Sequence, residues 1–106
     1  MPDTSWKAFE RRIARVFGGV RRGADTRGPH GGKSDVIANG WAIECKLLGR
    51  PSYSDLLAAA HQAELAAKPA ELPVAVVKRK RADDADALVV LRLATFRAWF
   101  IGESHE

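Results

Sequence analysis

The sequence predicts an α/β domain, a mixed β-sheet flanked by helices in the order α-β-β-α-β-β-α. Three observations predict it. Apolar residues recur at helical spacing near the N-terminus. An Asn-Gly pair separates two short strand-like runs. A capped Ala-rich segment is then followed by two β-branched apolar runs.

The first helix spans about Thr4 to Phe17. Trp6, Phe9, Ile13, Val16 and Phe17 share one face, Arg11 and Arg15 lie opposite, and Gly18-Gly19 ends it. Val20 to Lys33 is rich in Gly and Arg and reads as a long loop with room for a short extended piece. Long loops of this kind in small domains are often functional. Ser34 to Ala38 and Trp41 to Leu47 read as strands joined by Asn39-Gly40, a strong hairpin signal. Ser52 with Asp55 forms a capping box that opens a helix through about Ala67. Pro73 to Lys78 and Ala87 to Leu93 read as buried strands, and Thr95 to Ile101 as a last short helix.

At 106 residues the chain is expected to form one domain. Hydrophobic residues make up 46% and charged residues 28%, a globular balance, and no apolar run is long enough to cross a bilayer. The polar N-terminus shows no apolar leader stretch. The single Cys, Cys45, excludes an internal disulfide framework and a Cys-rich zinc site, and fits a reducing cytoplasm. The formal charge is +4, concentrated in two segments. One carries Arg21, Arg22, Arg27 and Lys33, with His30 among them; the other is Lys78-Arg79-Lys80-Arg81. Such concentration fits phosphate neutralisation by a nucleic-acid partner, although solvated loops account for it too.

The hairpin permits a geometric deduction. With a two-residue loop, Ala38 faces Trp41, Ile37 faces Ala42, Val36 faces Ile43, and Asp35 faces Glu44. Directly opposed residues point to the same side, with Cβ atoms roughly 4.5–5.5 Å apart. Lys46 shares that side because side chains alternate along a strand. Val36, Ile43, Cys45 and Leu47 occupy the other face as core. Two opposed carboxylates repel, so a positive charge belongs between them. Lys46 meets part of that need, and a divalent cation meets it better. Spacing alone leaves a surface ion pair on a solvated hairpin equally open. Glu10 sits at the edge of the apolar face of the first helix, either reaching the sheet or pairing with a nearby Arg. Gln62 offers a polar tip on the second helix, either toward a water or phosphate or simply toward solvent. His61 and His105 have no partners at ligand spacing.

Taken together, Glu10, Ser34-Asp35-Val36, Glu44-Cys45-Lys46 and Gln62 resemble the PD-(D/E)xK nuclease superfamily. Within it the chain is similar to the archaeal-type Holliday junction resolvases, a branch found also in viruses, over about Trp6 to Val90. The resemblance implies a restriction-endonuclease-like core, with one extra short strand before Ser34 allowed. It implies that Asp35, Glu44 and the Cys45 backbone carbonyl hold Mg2+, for which Mn2+ substitutes. Lys46 then positions or helps deprotonate the attacking water, Glu10 supports the metal or its waters, and Gln62 stabilises the site. Ser34 stands where the superfamily pattern has Pro.

The implied activity is Mg-dependent, structure-selective DNA cleavage, as in recombination and repair, with symmetric nicks in four-way junctions made by a homodimer. Its place would be the cytoplasm, that of a host for a viral chain. The basic residues Arg21, Arg22, Arg27, His30, Lys33, Lys78, Arg79, Lys80 and Arg81 are the expected DNA contacts. Three alternatives stay open on sequence: a related nuclease acting on duplex or flapped DNA, a non-catalytic DNA-binding module, and a small interaction protein with incidental charge.

Overall fold

A computed structural model describes residues 6–21 and 35–102. Within them α1 (Trp6–Val16) precedes a short β1 (Val20–Arg21), the extended piece allowed for in the Gly/Arg-rich stretch. Phe9 and Ile13, one helical turn apart, are buried, as are Ala8 and Ala14. The helix stops on a Schellman pair. The Gly19 N–H donates to the Ala14 carbonyl and the Gly18 N–H to the Arg15 carbonyl, with Gly18 in the left-handed region at φ 72°. Gly19 is required for a different reason. A Cβ there would lie 2.1 Å from the Ile37 carbonyl oxygen. The helix end therefore sits directly on the hairpin strand.

That hairpin is β2 (Val36–Ala38) and β3 (Trp41–Leu48), joined by Asn39-Gly40 with Gly40 at φ 85°. Its register is the one the two-residue loop dictates: Val36 opposite Ile43, Ile37 opposite Ala42, Ala38 opposite Trp41. α2 (Tyr53–Ala66) opens on Ser52. The Asp55 N–H donates to Ser52 Oγ, and the Ser52 N–H donates back to the Asp55 carboxylate. Ala59, Ala60 and Ala63 are the buried residues of α2, and these small side chains let it lie close to the sheet.

β4 (Leu72–Arg79) pairs parallel with β3 along its whole length, and β5 (Leu88–Val90) pairs antiparallel with β4. The five-stranded mixed sheet runs in order β1-β2-β3-β4-β5. Phe9, Ile13 and Ala14 of α1 pack with Val36, Ile43, Cys45, Val74 and Val76 on one face. Ala59 of α2 packs with Ala75 and Val77 on the other, joined by Leu48, Leu56 and Val90.

Two expectations need correction. β5 is shorter than the predicted Ala87–Leu93 and is not buried: Leu88 and Val89 are both 57% exposed, because this strand forms the open edge of the sheet. The chain closes with α3 (Leu93–Phe96), continuing through wider turns to Ile101 (Arg97–Ile101). This segment leaves Leu93, Trp99, Phe100 and Ile101 largely in solvent. Among the described residues no helix is long and apolar enough to cross a membrane.

Candidate active site

Asp35 stands one residue outside β2, where strand pairing stops. Its N–H still donates to the Ile43 carbonyl, at 2.9 Å. Its carboxylate then replaces the departing strand as partner of β3: the Cys45 N–H donates to Asp35 Oδ2 at 2.8 Å. That bond draws the Asp35 side chain to the edge of β3 next to Glu44. The two carboxyls lie close enough for the Asp35 charge to be felt at Glu44. Lys46 completes the group, with Nζ 3.4 Å from Glu44 Oε2.

The cluster is poorly solvated. Glu44 is only 8% exposed. Burial, then the neighbouring Asp35 charge, push its carboxyl up from 4.5 to about 7, against the pull of Lys46. Burial also raises Asp35, opposed first by the Cys45 N–H and then by Lys46. Near neutral pH the pair therefore resists full ionisation. Glu44 is withheld from water and Asp35 is half-buried, and the positive charges felt there are those of Lys46 and, at Asp35, Arg21.

Glu10 comes to the same region from α1, buried at 5% exposure. Arg21 Nε of β1 donates to Glu10 Oε1 at 2.7 Å, and the Asp35 charge is felt at Glu10. Burial, the largest influence, raises the Glu10 carboxyl, and Arg21 opposes it. The Arg21 guanidinium also lies 5.5 Å from the centre of the Trp6 ring. Arg21, expected as a DNA contact, is thus engaged with Glu10 in this structure. The pairing is invisible in sequence because it needs a two-residue strand to fold back beside the helix.

The Cys45 thiol faces the α1 core, and burial pushes it far above its ordinary value, so it is an inert side chain. The Cys45 backbone groups lie in the plane of the sheet, directed sideways from β3. N–H and C=O of one strand residue point to the same neighbour, and the N–H points at Asp35. The oxygen donors gathered here are two carboxylates and the Cys45 carbonyl, the hard set magnesium prefers. Among the described residues no three His, Cys, Asp or Glu side chains form a metal-binding group. A cation here would accordingly rest on Asp35, Glu44 and main chain.

The remaining expected residues divide. Gln62 lies exposed on α2, and among the described residues no hydrogen bond joins it to the acids. Arg79, Lys80 and Arg81 are exposed at the end of β4. Lys78 is a correction: it is 6% exposed, with Nζ donating to the Ala82 carbonyl at 2.7 Å and to Asp84 Oδ1 at 2.8 Å. Strand alternation turns it toward Phe9 of α1, whose ring it overlies at 5.1 Å, so it is withdrawn from the basic surface. Arg22, Arg27, His30 and Lys33 lie outside the described residues.

No family model, curated protein or solved structure matches the chain.

Proposed function

We propose that this chain is a magnesium-dependent DNA endonuclease of the PD-(D/E)xK type, acting on branched DNA as a junction resolvase. The observation that carries the reading is the meeting of Asp35, Glu44 and Lys46 at one edge of β3, in a setting that pushes both carboxyls up. A structural ion pair has little reason to set a buried and a half-buried acid side by side next to Lys46, since like charges so placed destabilise the fold. A cation-binding centre needs that arrangement.

Phosphodiester hydrolysis joins a water oxygen to phosphorus and breaks one ester P–O bond. The freed oxygen takes a proton, leaving a phosphate monoester and a hydroxyl. Bound magnesium, or manganese in its place, supplies Lewis acidity and lowers the pKa of water. Asp35, Glu44 and the Cys45 carbonyl hold it. Lys46, an ammonium beside the acids, positions water and offsets charge on the phosphate oxygens. Glu10 holds Arg21, whose positive charge is felt at Asp35 and offsets part of the repulsion among the acids.

Symmetric nicking of a four-way junction needs two such centres, so a twofold homodimer is part of the proposal. The exposed apolar side chains of the C-terminal helix support a covering partner. The test is to incubate the protein with labelled four-way junction, duplex and single-stranded DNA, with magnesium or with chelator. Paired nicks in the junction lane, with magnesium only, are expected. A mobility shift without product under both conditions would leave a binding module instead.

A further inference from the structure

Beyond the C-terminal ends of β3 and β4 the chain gathers a second set of cations. Arg79, Lys80 and Arg81 are consecutive and exposed, and Arg50, on the connection from β3 to α2, is exposed too. The Lys80 N–H donates to the Leu48 carbonyl at 2.8 Å, which fastens the turn to the end of β3 two residues before Arg50. Among the described residues none of these four side chains is in an ion pair.

The turn is built rather than loose. Arg81 adopts φ 70°, a left-handed conformation that disfavours side-chain-bearing residues and that glycine takes freely. The buried Lys78 ammonium holds the turn from beneath through the Ala82 carbonyl and Asp84. Asp84 is gripped in turn by Arg12 of α1, Nε at 2.6 Å and Nη2 at 3.2 Å. A charge-paired network reaching into the core therefore fixes a strained turn that presents three positive side chains outward.

Its position relates to the acids. Leu48 pairs with Arg79 two residues beyond Lys46. At roughly 3.3 Å per strand residue, the Arg79 row lies about 7 Å past Lys46 on the same face of the sheet. A DNA strand carries one charge per about 3.4 Å of helix axis, so this row falls within reach of phosphates next to one held at Lys46.

We propose that Arg50 and the Arg79-Lys80-Arg81 turn form a phosphate-binding lip for the DNA backbone flanking the cleaved bond, and that Lys78, Asp84 and Arg12 are positioning residues for it. This rests on the nuclease reading for the identity of the polyanion. The test measures binding of fluorescent four-way junction and duplex in chelator, across a salt series, for wild type and a variant with all four lip cations changed to Ala. Binding is expected to weaken at least tenfold at low salt, and the slope of log affinity against log salt is expected to fall by about 0.9 for each phosphate no longer neutralised. Arg97→Ala, which removes an exposed arginine of the C-terminal helical segment, is expected to change neither.

Two further variants separate the built turn from general charge. Asp84→Asn makes the protein more positive, so a purely electrostatic surface would bind more tightly, whereas a lip that depends on its support binds more weakly. Arg81→Gly relieves the backbone, so the melting temperature holds or rises while affinity falls several-fold. Unchanged affinity and slope in the fourfold variant, with wild type still binding and cutting, would overturn the lip and leave the nuclease reading standing. Absence of salt-dependent DNA binding by wild type would overturn both.

Discussion

Glu44 carries the clearest pH signature. Its ordinary value is 4.5, and the fold raises it to about 7, so the folded chain holds this proton more tightly than the unfolded chain. The stability it contributes is complete below about pH 4.5 and is lost as pH rises through about 7. At about 1.4 kcal/mol per pH unit of displacement, ionising it at alkaline pH costs on the order of 3 kcal/mol. Metal-free protein is therefore expected to melt at a lower temperature at pH 8 than at pH 5.5, and Glu44→Gln to flatten that dependence. Magnesium at pH 8 is expected to raise the melting temperature of wild type and not of Glu44→Gln. Asp35→Ala or Glu44→Ala should abolish cleavage while keeping or improving DNA binding, read by gel assays run in parallel. Metal-dependent cutting by either variant would reject its assigned role. Glu44 and Lys46 share a face by strand alternation, as the sequence suggests, but Asp35 does not face Glu44 in the ladder: pairing ends at Val36 opposite Ile43, and Asp35 joins the group through the Cys45 N–H. Arg21 and Lys78 escape sequence reasoning for a common reason: each sits in a run of cations that reads as surface, and their partners Glu10 and Asp84 meet them only through tertiary folding.

At the level of elements, local signals are legible where they are chemical. Ser52 with Asp55 announces the start of α2, and Gly18-Gly19 announces the end of α1. Ser52→Ala is expected to cost about 1 kcal/mol in denaturant unfolding, the usual value of such a cap. Gly19→Ala is expected to cost more, on the order of 2 kcal/mol or above, because the added methyl meets the Ile37 carbonyl oxygen and α1 must shift off the hairpin. A cost equal to that of an ordinary exposed Gly→Ala change would show that the close approach is absent. β5 is harder to read. Its β-branched composition matches that of β4, yet β4 is covered by both helices and β5 lies at the rim. Composition records suitability for a strand, and the number of neighbours is set by the sheet order.

Across the whole molecule, the alternation of helices and strands is enough to anticipate an α/β arrangement with a mixed sheet. The direction of pairing is not written locally. β3 is antiparallel to β2 and parallel to β4 because α2 carries the chain back across the sheet before β4 begins. The exposed aromatic C-terminal helix likewise emerges only in three dimensions. Light scattering is expected to give twice the monomer mass, and a monomer that makes paired nicks would contradict the twofold scheme.

The carboxylate of Asp35 also serves as a rivet where one strand leaves another, and the two duties can be pried apart. An Asn there keeps an oxygen for the Cys45 amide but forfeits the anion. Hydrogen–deuterium exchange at that single amide should stay slow in Asp35→Asn and quicken in Asp35→Ala, although both variants are expected to lose cleavage under the proposed function. A residue chosen for chemistry would thereby also be holding the edge of its own scaffold shut.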